Sequence, residues 1–525
     1  MRSFDLRTAR LRSCPDVPGL PEVYKNDLKE LFRVWNSKLS RNVMRSRYYD
    51  GHEVVKNLGI AVPDDFAELD AVVGWPAKAV DTLADMSNFD SYTGTSTSLQ
   101  ILDEITDAND FYATYDMMLP DELVHSCAAV TVTAGRDGIP QLNAHSAITA
   151  AMTWSYERHR IKAGITVAET NEAGVPIAYN LYEDDCVIYI YMLPNDSGLW
   201  GFVVMPHAMG RPLIEPFVYR PSLRRPFGVS RINREVMSIT DNAMRTVLRG
   251  EVGSEFFTSP QKALLGAPDG MFPNRLDEAL ERLPETYDPE EDDEDDEGYD
   301  DPDDMYDPYG DDEMPSPRRV KLDARTAWEY TIGHLMAISR DEEGNVPQVV
   351  QFSASSMEPH ISYLRALAAR FSGATCVPLN ELGIIQDNPS SAEAIDSQRS
   401  ALVREANKLN TINGRSLVNI GRMGIAIALN KPYYALTEDE RTVGTHFMDP
   451  DRPALVSRAD AMTKLASSAP WLVNTRVYWE KVGLTDEQID VVLAAGRQAE
   501  STESMANIVA NALNSVKQVE NGEGE

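Results

Sequence analysis

IKAGITVAETNEAGVPIAYNLYEDDCVIYIYMLPNDSGLWGFVVMPH, residues 161–207, decides the fold class. It holds four runs rich in β-branched and aromatic residues: 161–169, 175–182, 186–193 and 198–207. Turn signals, Asn171-Glu-Ala-Gly174 and Asn195-Asp-Ser-Gly198, interrupt them. Such runs read as strands, and connections this short favour an antiparallel meander. A further strand is expected at 127–135, with a helix between His145 and Arg160.

Around this sheet the periodicity turns helical. Leu28, Leu31, Phe32, Trp35 and Leu39 mark one face of a helix from about Pro21 to Arg47. Pro21 suits a helix start, where a missing N–H costs nothing. Two more helices are expected near 76–88 and 98–117. After Pro226 comes a helix over about 231–256, striped by Ile232, Val236, Ile239, Ala243 and Val247. Another follows Pro359, and a pattern of nearly forty residues runs from Ser390 to Leu429. Gly414, Gly421 and Gly424 predict a kink in it. The last 75 or so residues read as shorter helices with a polar tail. Strands and helices segregated in this way give an α+β class. Length alone predicts three or four domains at roughly 100–200 residues each.

The formal charge is −33, from 49 Lys+Arg against 82 Asp+Glu. That argues against a protein that wraps nucleic acid tightly, because phosphate binding needs a basic footprint, but not against one that nucleic acid slides past. Between Glu285 and Glu313 there are 18 acidic residues and no Lys or Arg, over half of the net charge. Such a block lacks the apolar surface to order itself, so 285–314 is expected to be disordered.

Chemistry-bearing motifs are missing from the sequence. Cys14, Cys127, Cys186 and Cys376 form no CxxC, so a reduced setting is expected. The eight histidines are scattered without metal-ligand spacing. There is no P-loop, HExxH, GxSxG or GxGxxG after a strand. No catalytic residue, metal or cofactor is assigned. The first twenty residues lack an apolar h-region, and no apolar run is long enough for a membrane span.

Four ordered stretches carry a resemblance. They are Tyr48-Tyr49-Asp50-Gly51-His52; Arg224-Arg225-Pro226-Phe227-Gly228-Val229-Ser230-Arg231-Ile232 with Glu255 to Gly266 after it; Pro347 to His360 with Leu364, Leu367 and Ala368; and Pro378, Leu382-Gly383 and Asn388 to Ile395 with Leu402-Val403. Over about residues 20–430 the pattern resembles portal (head–tail connector) proteins of tailed phages that infect actinobacteria. The acidic insert departs from the family pattern.

The resemblance implies a non-enzymatic ring, usually of twelve subunits, at one capsid vertex, through whose channel double-stranded DNA is packaged and ejected. The terminase large subunit, a head–tail adaptor and the major capsid protein would be partners. It further implies a wing (1–230), a stem or wing helix (231–256), a small α/β clip region (257–355), a second stem helix (356–375), a tunnel loop (376–390), a long kinked helix with a wing return (391–449) and a helical crown (450–525). The loop carries Glu381 and Asp387 and no cation. Asn380, Gln386 and Asn388 would contact DNA weakly and without sequence preference. Phe227, Gly228 and Ser230 are a candidate subunit-contact motif, although their residues read equally as a turn followed by an N-cap. Ser390 or Ser391 would cap the long helix, with Glu393 in its first turn. Two other readings remain: an acidic scaffold or adaptor without a channel, and an enzyme using scattered carboxylates.

Overall fold

The computed structural model describes residues 13–52, 71–135, 137–193, 198–258, 262–265, 348–351, 356–384, 392–450, 455–484 and 488–497. The chain divides into two compact units. One comprises residues 1–56, 71–244 and 364–525; the other comprises 57–70 and 245–363.

The first unit opens with α1 (Glu22–Asp50), preceded by Pro21 and ended by Gly51 in the left-handed region at φ 71°. The five apolar residues that predicted it are all buried. Leu28, Leu31, Phe32 and Trp35 pack on one face of an antiparallel sheet whose strands run in sequence order: β4 (Ala150–Ser155), β5 (Arg160–Thr170), β6 (Pro176–Tyr182), β7 (Cys186–Met192) and β8 (Trp200–Pro206). Phe32 and Trp35 meet Tyr179 edge-on, and the Trp35 indole donates to the Ile148 carbonyl at 3.0 Å.

The expected strand at 127–135 exists as β2 (Cys127–Ala134), but in a different sheet. It sits between β3 (Pro140–Ser146) and β9 (Ile214–Val218). The two sheets approach closely at Gly164, where a Cβ would lie 2.7 Å from the Ile214 side chain. The helix expected from His145 to Arg160 is instead the end of β3, a turn and β4. β4 is buried on both faces over Ala150–Thr153, so it shows no period-two alternation, and its alanines imitate a helix.

Helices cover the rest: α2 (Trp75–Ala84), α3 (Ser96–Ala108) and α4 (Phe111–His125). The single helix expected over 98–117 is broken by Asp110 at φ 45°. A strand, β1 (Phe89–Gly94), precedes α3 and pairs antiparallel with β12 (Val443–Phe447), near the far end of the chain. Between these lie α5 (Arg234–Thr258), α6 (Glu358–Thr375) and α7 (Ala392–Ala428). α7 is one continuous helix, about 55 Å long at 1.5 Å per residue. The glycines expected to kink it mark close approaches. A Cβ on Gly414 would lie 2.8 Å from Thr445, and one on Gly421 would lie 3.2 Å from Leu102 and Tyr92. Short helices, α8 (Glu438–Arg441), α9 (Leu455–Ser468) and α10 (Arg476–Val482), follow. No described helix is long and apolar enough to cross a membrane.

In the second unit, β10 (Lys262–Leu265) pairs antiparallel with β11 (Gln348–Gln351), Leu265 opposite Gln348. The acidic segment 285–314 lies outside the described residues.

Candidate functional site

The loop assigned to the channel begins where α6 ends. Cys376 takes φ 59°, turning the chain sharply. Val377 is fully buried, Leu379–Leu382 forms a 3-10 turn, and Gly383 closes it at φ 80°. Leu382 anchors the turn in the core while Asn380 faces solvent. Glu381 is not a free acid on this loop: Lys78 of α2 lies 3.0 Å away and Arg399 of α7 4.0 Å. Gln386, Asn388, Ser390 and Ser391 lie outside the described residues.

Immediately beneath the loop lies Arg231, 4% exposed. Its guanidinium donates to the carbonyls of Ala79 on α2 (2.6 Å) and Thr375 at the end of α6 (2.7 Å), and to the Tyr219 hydroxyl (2.9 Å). It also pairs with Glu405 of α7 at 2.9 Å. Glu405 accepts from the Tyr219 hydroxyl and pairs with Arg220 at 2.6 Å. Burial pulls the Arg231 pKa down, but Tyr219 and Glu405 more than reverse this, leaving it raised. Burial likewise pushes Glu405 up, and Arg231, Tyr219 and Arg220 bring it below its ordinary value. Both groups are therefore charged at neutral pH. One side chain thus fixes α2, the start of the loop and α7 relative to one another.

The Phe227–Ser230 motif supports Arg231 from within the chain. Phe227 packs edge-on against Trp154. Gly228 takes φ 68°, and a Cβ there would lie 2.0 Å from the Tyr219 carbonyl oxygen. Ser230 does not cap a helix. Its hydroxyl is buried and donates to the Val124 carbonyl at 2.5 Å. The cap of α5 is Asn233, whose side chain accepts from the amides of Glu235 and Val236 at 2.8 and 3.0 Å. Gly228→Ala combines an unfavourable φ with a backbone clash, so it should cost about 2–3 kcal/mol, read as a lower urea midpoint.

α7 carries a second set of polar anchors not picked out from the sequence: buried Asn410, Asn413 and Ser416, and half-buried Asn419. Asn410 accepts from Ser87 at 2.6 Å. Asn413 donates to Glu122 at 2.8 Å and to Tyr115 at 3.2 Å. Ser416 donates to the Pro216 carbonyl at 2.6 Å, and Asn419 to Glu215 at 2.7 Å. Their three-residue spacing in an apolar helix is the signal that marks them. Glu122 is fully buried, and desolvation pushes it up to about 8 against the Asn413 hydrogen bond. Among the described residues, no group of His, Cys, Asp or Glu is placed to hold a metal ion. The arrangement is a clamp: it holds a loop rigidly against a long helix.

No family model matches the chain. It is similar to the portal protein of Mycobacterium phage L5, 23% identical over 466 residues, covering 86% of this chain and 84% of the relative. It is also similar to the portal protein of Mycobacterium phage D29, 22% identical over 456 residues, covering 85% and 82%. Among solved structures, it is similar to a chain of the virion of a native gene transfer agent particle (14% identity, TM-score 0.41, 86% of this chain and 93% of that one). A chain from the neck of that particle, computed with C12 symmetry, gives 14% identity and a TM-score of 0.40 over 83% and 94%. The two phage proteins bear out the resemblance drawn from the ordered motifs.

Proposed function

We propose that this chain is the subunit of a phage portal: a closed homo-oligomeric ring, twelve-fold as the resemblance implies, set at one vertex of the virion. Its channel passes double-stranded DNA during packaging and ejection. Terminase, a head–tail adaptor and the major capsid protein dock on it. The observation that carries this reading is the length of the similarity, since the two relatives named as portal proteins align over more than four-fifths of either chain. The chain is a structural protein and not an enzyme.

Within that reading, residues 1–230 form the wing, α5 and α6 the stem helices, 257–355 the clip region, 376–390 the tunnel loop and 450–525 the crown. The clamp around Arg231 supports the loop assignment, because a loop that guides moving DNA needs a rigid base. Phe227, Gly228 and Ser230 then hold the wing surface that meets a neighbouring subunit.

Imaging the purified protein in negative stain tests the ring. Closed rings with a central hole are expected, built from heterologous contacts. Filaments or small particles would point instead to a scaffold or adaptor, and a stable monomer would overturn the portal reading. A second experiment tests the loop. Replacing Asn380, Gln386 and Asn388 together with Lys should increase salt-sensitive retention of duplex DNA by the ring roughly tenfold or more, since each new phosphate contact adds affinity. Replacement with Ala should change it little.

A further inference from the structure

The acidity of this chain is not uniform. Residues 1–49 contain eleven Lys+Arg against five Asp+Glu, in a protein whose net charge is −33. The imbalance concentrates on α1, where Leu31 to Tyr49 includes Arg33, Lys38, Arg41, Arg45 and Arg47 and no acidic residue.

The structure places these cations on the side of α1 away from its buried stripe. Arg33, Lys38, Arg41 and Arg47 are exposed, and Arg45 is half-buried. Two carboxylates of the same helix, Asp27 and Glu30, are engaged 2.6 and 3.2 Å from Lys162 of β5, and Asp50, the last residue of α1, forms no ion pair with Arg47 among the described residues. None of the five cations makes an ion pair with a carboxylate among the described residues. Arg45 donates to the His125 carbonyl at 3.3 Å, and the Arg41 charge adds to burial in lowering its pKa. Like charges are thus left facing one another along the helix. Like charges four apart on a helix destabilise it by a few tenths of a kcal/mol, a cost that a bound anion removes.

We propose that this face of α1 is a docking surface for the phosphate backbone of duplex DNA, separate from the loop at 376–384. Three features select that occupant. Arg33, Arg41 and Arg47 spread over about 20 Å of helix at 1.5 Å per residue, a length that faces about six base pairs. Exposed Asn36 and Ser40 lie among them, and such neutral side chains share phosphate contacts with Arg and Lys. No large exposed apolar residue lies between Leu31 and Tyr49, whereas a protein partner would want an apolar or aromatic anchor. The net negative charge of the molecule repels DNA, so binding is weak and confined to short range, within a Debye length of about 10 Å at 0.1 M salt. The proposal rests on the portal reading only for the presence of DNA beside the protein.

The test uses the full chain, a labelled duplex of about 30 base pairs in two unrelated sequences, and fluorescence anisotropy between about 50 and 200 mM salt. The comparison is wild type against Arg33→Gln/Arg41→Gln/Arg47→Gln, exposed changes that leave the core untouched. The triple variant should bind at least tenfold more weakly at low salt, with a log–log salt slope reduced by roughly 2–3 and no sequence preference. Asn380→Ala, on the loop, should bind as wild type does. An unchanged slope in the triple variant overturns the proposal, as does absence of wild-type binding at the lowest salt. Polyglutamate that displaces the duplex at equal charge concentration also overturns it, in favour of an acidic protein partner. Ring formation, imaged on the same samples, reports separately on the portal reading.

Discussion

Arg231→Met should be among the most damaging single changes in this chain, lowering stability by about 3–5 kcal/mol. The change removes a buried cation and weakens the hold on three groups. Glu405 loses its buried cation and keeps only the Tyr219 hydroxyl and the exposed Arg220, and the carbonyls of Ala79 and Thr375 lose the guanidinium. A buried carboxylate left with only an exposed cation and a hydroxyl accounts for much of the cost, and the lost hydrogen bonds to the two carbonyls account for the rest. Removing both charges, as Arg231→Met with Glu405→Met, should recover much of the loss, because the desolvation of the pair disappears with it. Urea unfolding of the two variants against wild type reads this directly. Equal destabilisation of the single and double variants would show that the contacts to Ala79 and Thr375, and not the ion pair, do the holding. A milder consequence lies in the loop. With Thr375 released, the amides of Val377 and Leu379 should exchange with solvent faster than in wild type, even where global stability is restored.

The residues that hold the molecule together were legible to different degrees. The helix of α1 and the meander of β5 to β8 could be read because each keeps one periodicity: a 3.6-residue stripe facing a sheet, or short strands between turn residues. β4 and β9 could not, since both are buried on two faces and lose the alternation that marks a strand. β1 and β12 are short, and each becomes a strand only by pairing with the other across more than three hundred residues of chain. The break between α3 and α4 depends on one residue, Asp110, adopting a conformation that Asp tolerates but does not announce. The site shows the same division. The segment Arg224–Ile232 is visible as a motif, and its Phe227, Gly228 and Ser230 read as a turn or a subunit contact. Arg231, whose partners come from Ala79, Tyr219, Thr375 and Glu405, has a role that no local pattern reveals. The ladder on α7 was visible in principle, as polar residues recurring every three positions inside an apolar helix.

Glu122 sets the expected response to pH. It ordinarily titrates near 4.5, and burial raises it to about 8 in the folded chain. Glu183 moves the same way, also to about 8, through burial and then the nearby Asp27. Between these two values the folded protein keeps protons that the unfolded chain has released. The stabilisation these groups contribute is complete below their unfolded pKa and is lost as pH rises through about 8. His145 acts oppositely over a lower range, since burial depresses it from 6.5 to about 4, so stability gains with pH there and the gain ends near its unfolded value. Above about pH 6.5 the glutamates therefore dominate, and stability should fall, each fully protonated group contributing up to about 1.4 kcal/mol per pH unit. Glu122→Gln keeps the shape and the acceptor for Asn413 and removes the proton. Its unpartnered amide nitrogen adds a cost of about 1–3 kcal/mol that does not change with pH. The curve for this variant should thus be flatter than wild type from about pH 6.5 to 8 and should gain on it by roughly 2 kcal/mol across that window. Urea midpoints at several pH values measure it. Parallel curves would mean that Glu122 is already ionised in the folded chain, and that Asn413 and Tyr115 hold a carboxylate rather than a neutral acid.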